Sequence, residues 1–441
     1  MSETGPDPVP DPAPDAGPAS GPEAGAPLPL AGVRVADLSR VLAGPYATML
    51  LADMGAEVVK VEQPGRGDDT RSWGPPYAAP AEEHRADHSP GEAAYFLSVN
   101  RNKRSLAVDL KDPEGLAAVQ ELCATSDVVI QNFRPGVIDR LGLGYGEISR
   151  RNPAVVYCSV SGFGPEHEPA TRPGFDIVVQ AESGLMATTG PADGPASKVG
   201  VALTDVLTGL NAAVGILGAL MRARVTGRGE NISVSLINST LSSLVNLTQQ
   251  ALVTGTEPAR VGNAHTTIVP YQVFPTQDAE IVVAAGNDAL YQRLCAAIGR
   301  PDLGADPRYA TNPERVAHRD ELVGELSATL RERPAEHWME VLVEAGVPAG
   351  RVRGVLDALR TADARGDDVL RTVEHPTAGP LEQVRAGFRM EHTPTPMSAP
   401  PLLGQHSAQV LAELGLTPER VEALLKSGAV QQTDIPQTGL T

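Results

Sequence analysis

The segment RPGFDIVVQAESG (Arg172–Gly184) and, after a Gly/Thr/Pro-rich turn, GVALTDVLTGLNAAVGILGALMRAR (Gly200–Arg224) decide how the rest of the chain is arranged. From Val206 to Met221 apolar or small residues fall on every face, the pattern of a helix buried all round. Gly209, Gly215 and Gly218 cost helix propensity, and close packing against other backbone is the expected reason for them. Asp205 stands where this helix begins, and Asp176 lies upstream in a Gly-Phe-Asp turn. A carboxylate at a helix N-terminus is held in its charged form by free amides and the helix dipole. On spacing alone Asp205 reads as a cap. The sharper reading is an ionised nucleophile on a pocket wall.

Ahead of this stretch, strands alternate with helices. VRVADLS (Val33–Ser39) reads as a strand, Pro45 to about Met54 as a helix and AEVVKVE (Ala56–Glu62) as the next strand, giving a βαβ unit. The intervening loop is RVLAGP (Arg40–Pro45), so the glycine fingerprint of a dinucleotide site is absent. Residues 64–93 form a long polar loop, expected to be mobile near His84–Gly91. Strands follow at Ser105–Leu110, Ser126–Phe133 and Ala154–Gly164, with a helix opened by Asp112-Pro113-Glu114 and running to about Ala124. The alternation predicts an α/β domain with a parallel sheet covered on both faces. Ligands of such sheets sit past the carboxyl ends of the strands, where Val41–Pro45, Asn132–Gly136 and Ser161–Gly164 fall.

Beyond the long helix, TGRGENISVSL (Thr226–Leu236) leads away from this domain. Val261–Gly286 predicts two short strands around a turn, and helices are expected near 288–299, 319–332 and 335–345. Together they make a smaller α+β domain. From about Leu356 the chain reads as loop-rich, ending in helices of which the last is capped by Thr417 and Pro418. The expected division is therefore a disordered tail (1–28), a large domain (29–236), a linker (237–260), a small domain (261–355), a C-terminal return to the large domain (356–431) and a tail (432–441).

A chain of 441 residues is too long for one core, which agrees with two domains. Its 54 acidic against 36 basic residues, a net charge of -18, argue against a nucleic-acid surface. Anionic small ligands need only a local positive patch, and Lys60, Lys103, Arg104 and Lys111 near strand ends could together form one. No apolar run spans a membrane without interruption, so no membrane is expected. Three cysteines with no CxxC pair fit a reducing, cytoplasmic setting and no metal cluster. Residues 1–28 contain no Lys or Arg, which excludes a leader peptide there. His265, in GNAH, reads as a loop histidine or as part of a pocket wall.

Several runs carry a resemblance. LAGVRVADLSRVLAGPYATMLLADMGAEVVKVE, NKRSLAVDLKDPEG, QNFRPGVIDRLG, GFDIVVQAESGLMATTG, TDVLTGLNAAVGILGAL and PPLLGQH together resemble the family III CoA-transferases (the CaiB/BaiF family), collinearly from about residue 29 to 430. The resemblance implies a ring-shaped subunit with a Rossmann-like large domain and a small domain, two rings interlocking as a homodimer. It implies acyl-CoA and a carboxylic acid as substrates, with coenzyme A thioester as substrate and no permanently bound cofactor. The family's nucleophile matches Asp205, which would pass through a mixed anhydride and an aspartyl-CoA thioester, and a second site carboxylate matches Asp176. The family's CoA contacts fall on Val41, Gln63, Val108, Lys111, Asn132, Phe133 and Arg140.

Departures from the family shape the expected substrate. Leu42 replaces a glutamine of the formyl-CoA transferases, Gln63 an arginine, and GNAHTTIVPYQVF stands in place of a four-glycine run. The racemases of the family carry His before the turn aspartate. Phe175 stands there, and it can neither take nor give a proton. Two rival functions are an α-methylacyl-CoA racemase and a non-catalytic acyl-CoA-binding paralogue. The region 261–287 resembles members that use succinyl-CoA with dicarboxylates, and His265 or Arg260 is the expected partner of the distal carboxylate.

Overall fold

The computed structural model describes residues 27–81, 91–164 and 172–435. The tail expected at 1–28, apart from its last two residues, lies outside these, as do most of the His84–Gly91 loop and the end of the 432–441 tail.

The large domain opens with β1 (Arg34–Leu38), α1 (Ala43–Asp53) and β2 (Glu57–Glu62). α2 (Ala94–Val99) and β3 (Lys103–Val108) follow, then α3 (Pro113–Thr125). The Asp112 carboxylate caps α3 by accepting the Glu114 and Gly115 N–H groups, with Pro113 in the first turn where no donor is missed. β4 (Val128–Gln131), α4 (Val137–Arg140), α5 (Tyr145–Arg151) and β5 (Val156–Ser161) lead to α6 (Asp176–Glu182), α7 (Leu203–Thr226) and β6 (Glu230–Ser235). β6 pairs in parallel with β5, so the segment expected to leave the domain first completes its sheet. The chain then passes through α8 (Leu236–Ser243) and α9 (Val245–Thr254).

The small unit holds β7 (Tyr271–Pro275), β8 (Glu280–Ala284), α10 (Asp288–Ala297), α11 (Arg319–Leu330), α12 (Ala335–Glu344) and β9 (Ala349–Arg351). Its strands form one antiparallel sheet, and Phe274, Ile281, Tyr291, Leu326, Trp338 and Leu342 build a separate core. The stretch expected to be loop contains α13 (Val355–Ala364) and the hairpin β10 (Leu370–His375) and β11 (Gly379–Val384). α14 (Ser407–Glu413), α15 (Pro418–Ser427) and β12 (Val430–Gln431) return to the large domain.

The main sheet has the order β12-β3-β2-β1-β4-β5-β6, all parallel except β12. Successive β1 residues feed opposite layers, as the two-residue period requires. Val35 joins Val58, Ile130 and Val156 beneath α1 and α7, against Leu51, Ala212 and Ile216. Ala36 joins Val59, Leu106 and Val129 over Val119, Leu122, Val410 and Leu424. Burial of both faces explains why the strands read as nearly continuous apolar runs.

α7 departs from the expectation of burial all round. Thr208, Ala212, Ile216 and Ala219 face the core, whereas Leu210, Val214, Met221 and Val225 are exposed along the opposite stripe. By length and composition this helix could cross a membrane, yet its inner face packs on the sheet. Of its three glycines, Gly209 is the one where backbone comes close: an added Cβ would lie 2.7 Å from the Ala43 carbonyl oxygen. At Gly215 a Cβ would make an ordinary 3.5 Å contact with Ile232, and at Gly218 it would meet nothing within 4 Å.

Candidate active site

The strand order reverses between β1 and β4, so the loops leaving their carboxyl ends splay apart and leave a crevice. The β1–α1 loop lies on one side and Asn132 on the other. Asn132 bridges them: its Oδ1 accepts the Arg40 N–H at 2.9 Å and its Nδ2 donates to the Arg40 carbonyl at 2.7 Å. Beside this bridge is a cavity of about 340 Å³ lined by Gln63, Val108, Lys111 and Phe133, with Arg40, Arg66 and Asp69 at its polar end. Four of the seven residues expected to hold the large ligand therefore share one wall. Asn132 shapes that wall through Arg40. Arg140 lies at the end of α4 beside Gly136 and is not part of the lining.

The expected phosphate-binding cations need correction. Lys60 and Lys103 are fully buried and paired with Asp68 (2.8 Å) and Asp37 (3.2 Å) respectively. A buried ammonium must keep such a partner, so neither can serve a ligand phosphate. Burial leaves the Lys103 ammonium at about 8 despite Asp37. Burial alone would raise Asp68, but Lys60 holds it down to about 2. Arg104 is tied to Glu57 and Glu413. Lys111 is exposed at the cavity, and Arg40 and Arg66 join it there, sharing Asp69 at 3.1 and 2.6 Å.

The β1–α1 loop connects the cavity to the two aspartates. Val41, Leu42 and the start of α1 pack with Tyr95, Ala202 and Val206 into a small apolar cluster. Asp205 is the third residue of α7, and the cap position is Ala202, which offers no side-chain bond. That capping role falls to Asp176 from the start of α6. Its Oδ1 accepts the Thr204 N–H (2.9 Å) and Oγ1–H (2.8 Å), and its Oδ2 accepts Gln180 Nε2 at 2.8 Å. Gln180, fully buried, also accepts the Val199 N–H and so ties the approach to α7 onto α6. Back-to-back glycines bring the Asp176 turn to the end of β5, since a Cβ on Gly162 would lie 2.6 Å from Gly174 Cα.

Asp205 is not held in its charged form, as its position near a helix start had suggested. Burial first, then the neighbouring Asp176 charge, push its carboxyl up to about 7, while the Ala43 backbone amide pulls the other way. The Ala43 amide can face Asp205 because Gly209, one turn on, lets α7 approach the start of α1. Tyr95 faces the same pair: burial and then Asp205 raise its phenol to about 12. Its ring stands edge-on to Trp73 at 5.3 Å. Tyr95 and Asp68 went unnoticed in the sequence. An aromatic in a short helix and an acid in a polar loop give no periodic signal.

Four further expectations fare differently. Leu42, in the β1–α1 loop, is buried and packs with Met49 and Val99. Phe175 is 61 % exposed and precedes α6. The His265 ring lies against Tyr271 at 5.3 Å, and its Nδ1 accepts the Thr267 N–H, partners within the small unit. Arg260 is already engaged with backbone. Its guanidinium donates to the carbonyls of Ala187, Pro191 and Gly194 and ties down that loop.

Comparison with known proteins gives a consistent result. The model of CoA-transferase family III matches residues 30–407. The chain is 42 % identical over 410 residues to a succinyl-CoA:glutarate CoA-transferase of Mus musculus, covering 92 % of this chain and 91 % of that one. It is 40 % identical over 387 residues to a succinate–glutarate CoA-transferase of Agrobacterium fabrum, covering 88 % of this chain and 96 % of the relative. A CaiB/BaiF family protein from Brucella suis superposes with a TM-score of 0.78 at 36 % identity, over 88 % of this chain and all of its own.

Proposed function

The chain belongs to CoA-transferase family III and is a CoA-transferase, and from that premise we propose that it exchanges CoA between succinyl-CoA and a dicarboxylic acid of glutarate's kind, with Asp205 as nucleophile. The observation that carries the reading is the pairing of Asp205 with Asp176, reached from the large cavity by the four residues Arg40–Ala43. The succinyl donor and dicarboxylate acceptor are supported by relatives at about 40 % identity over most of the chain.

In this reading an oxygen of ionised Asp205 attacks the thioester carbonyl. The C–S bond breaks, CoA leaves as thiolate and a mixed anhydride forms on Asp205. The thiolate attacks the Asp205 carbonyl carbon, expelling succinate and leaving an aspartyl-CoA thioester. The acceptor carboxylate attacks that thioester, a second anhydride forms, and the thiolate takes its acyl group. Asp205 is released as carboxylate and no proton is gained or lost overall. The site's part is to hold Asp205 beside the thioester, with the Ala43 amide favouring the ionised form against burial and the Asp176 charge. Gln180 and Thr204 fix Asp176, keeping the second carboxylate turned to the helix start. CoA would lie along Gln63, Val108, Lys111 and Phe133. Subunit pairing is part of the proposal, supported by the exposed apolar stripe of α7 and by Val245, Leu252 and Val253 on α9.

The reading is tested by giving the protein succinyl-CoA in the presence of hydroxylamine and mapping the modified residue by mass spectrometry, alongside a screen of acceptor acids. The expected result is a hydroxamate on Asp205 and CoA transfer to five-carbon dicarboxylates. A hydroxamate with equal transfer from butyryl-CoA would remove the dicarboxylate assignment and keep the mechanism. An unmodified Asp205 during turnover would remove the mechanism.

A further inference from the structure

Three side chains seize three consecutive backbone positions just ahead of α1. Lys60 Nζ donates to the Ser39 carbonyl at 2.9 Å. Asn132 accepts from the Arg40 N–H and donates to the Arg40 carbonyl. Asp68 receives the Val41 N–H between its two oxygens, at 3.3 and 3.2 Å. What they restrain is strained. Val41 has φ of 72°, a left-handed conformation that a β-branched residue almost never adopts. Such a residue persists only where its surroundings over-determine it. The restraint is itself rigid: Thr70 donates both its N–H (3.0 Å) and its hydroxyl (2.8 Å) to Asp68 Oδ1, and Lys60 holds Oδ2. Two residues after Val41 comes Ala43, whose carbonyl oxygen would lie 2.7 Å from a Cβ on Gly209, one turn beyond Asp205, and whose amide faces that carboxylate.

We propose that Asp68, backed by Lys60, and Asn132 are positioning residues for the transfer reaction: they clamp the strained Val41 peptide and thereby aim the Ala43 N–H at the Asp205 carboxylate. The inference rests on the reading of Asp205 as nucleophile. The clamp residues touch neither the reacting carboxylate nor the thioester, and act through the backbone between them. The charged and titratable groups facing Asp205 are Asp176 from α6 and Tyr95 from α2. Asp37, Glu62 and Lys103 surround the Lys60–Asp68 pair. A loosened loop weakens the one contact that favours ionised Asp205, so the effect must appear in the pH profile as well as in the rate.

Removing Asp68 alone would strand a buried Lys60 charge. The first variant is therefore Lys60→Met with Asp68→Asn, the second adds Val41→Gly, and kcat and KM for succinyl-CoA are followed across about pH 5 to 9. The first variant is expected to lose about tenfold in kcat at neutral pH, with the acid limb displaced upward by about one unit, the size of one lost hydrogen bond to a charged acceptor. Val41→Gly should recover part of kcat, because glycine adopts a positive φ without strain. Asn132→Ala, which leaves no buried charge behind, should displace the limb in the same direction and serves if the first variant does not fold. An acid limb that stays in place, or a glycine variant that recovers nothing, overturns the inference. Asp205→Asn is measured in parallel. Retained turnover in it would remove the underlying reading, whereas an inactive Asp205→Asn with an unmoved limb in the other variants would remove the clamp alone.

Discussion

A carboxyl group raised from 3.8 to about 7 by its surroundings is a standing cost to the fold. Between those two values folded Asp205 keeps a proton that the unfolded chain has given up. The native state therefore binds more protons than the unfolded state, and stability from this group falls as pH rises through that window. Above about 7 the penalty is complete. Asp205→Asn keeps the shape without the charge, so it should be more stable than the native protein at about pH 8, by on the order of 1–3 kcal/mol, and by less than half of that at about pH 5. The same change should lower turnover by several orders of magnitude. Thermal unfolding at the two pH values checks the first statement, and a Tm difference that ignores pH would contradict a raised carboxyl. Asp205 and Asp176 could be found in the sequence because motif residues surround them. That Asp176 caps α7 could not, since the Thr204 amide it satisfies lies 28 residues away.

Among elements, the crossing of α1 and α7 does most to shape the site. It depends on a missing side chain. Gly209→Ala would set a Cβ 2.7 Å from the Ala43 carbonyl and 2.9 Å from the Tyr46 ring, so the start of α1 has to move away from Asp205. The expected outcome is a kcat loss of tenfold or more, with a stability cost of about 1–3 kcal/mol from overpacking. Gly215→Ala on the same helix makes an ordinary contact with Ile232 and should gain up to about 1 kcal/mol in helix propensity. Chemical denaturation with kinetics on both variants decides this, and equal behaviour would deny Gly209 its special place. The βαβ alternation was legible because buried parallel strands need continuous apolar runs. The β10–β11 hairpin was not: its strands bury only Val373, His375 and Gln383, too few to show a pattern against Pro- and Gly-rich flanks.

At the scale of the whole molecule, α7 presents one stripe to the sheet and another, apolar, to the outside. Val214 is 70 % and Met221 72 % exposed, with Leu252 and Val253 on α9 and Val355 and Leu356 on α13 similarly bare. Pairing of subunits, as proposed above, would cover such exposed apolar residues. The chain should sediment at twice its 46.1 kDa and remain paired on dilution to nanomolar concentrations, as interlocked rings would. Val214→Asp should yield aggregated or monomeric protein with little activity. A monomeric native protein with full turnover would sink the pairing.

The sequence by itself determined the α/β alternation, the crevice at the carboxyl ends of the strands, the two aspartates and the family they belong to. Each of these depends on residue type at a local or collinear spacing, which a linear pattern preserves. Only the tertiary structure decided that Lys60 and Lys103 are buried counterions instead of ligand-binding cations, that Arg260 holds a loop, and that Asp205 resists ionisation. It also decided that α7 is bare on one side and that Val41 is strained. These depend on what each group meets across the fold: charge partners 8 and 66 residues distant, and the absence of water around a carboxylate. Burial and pairing govern which charges are available for chemistry, and neither is a property of a residue alone.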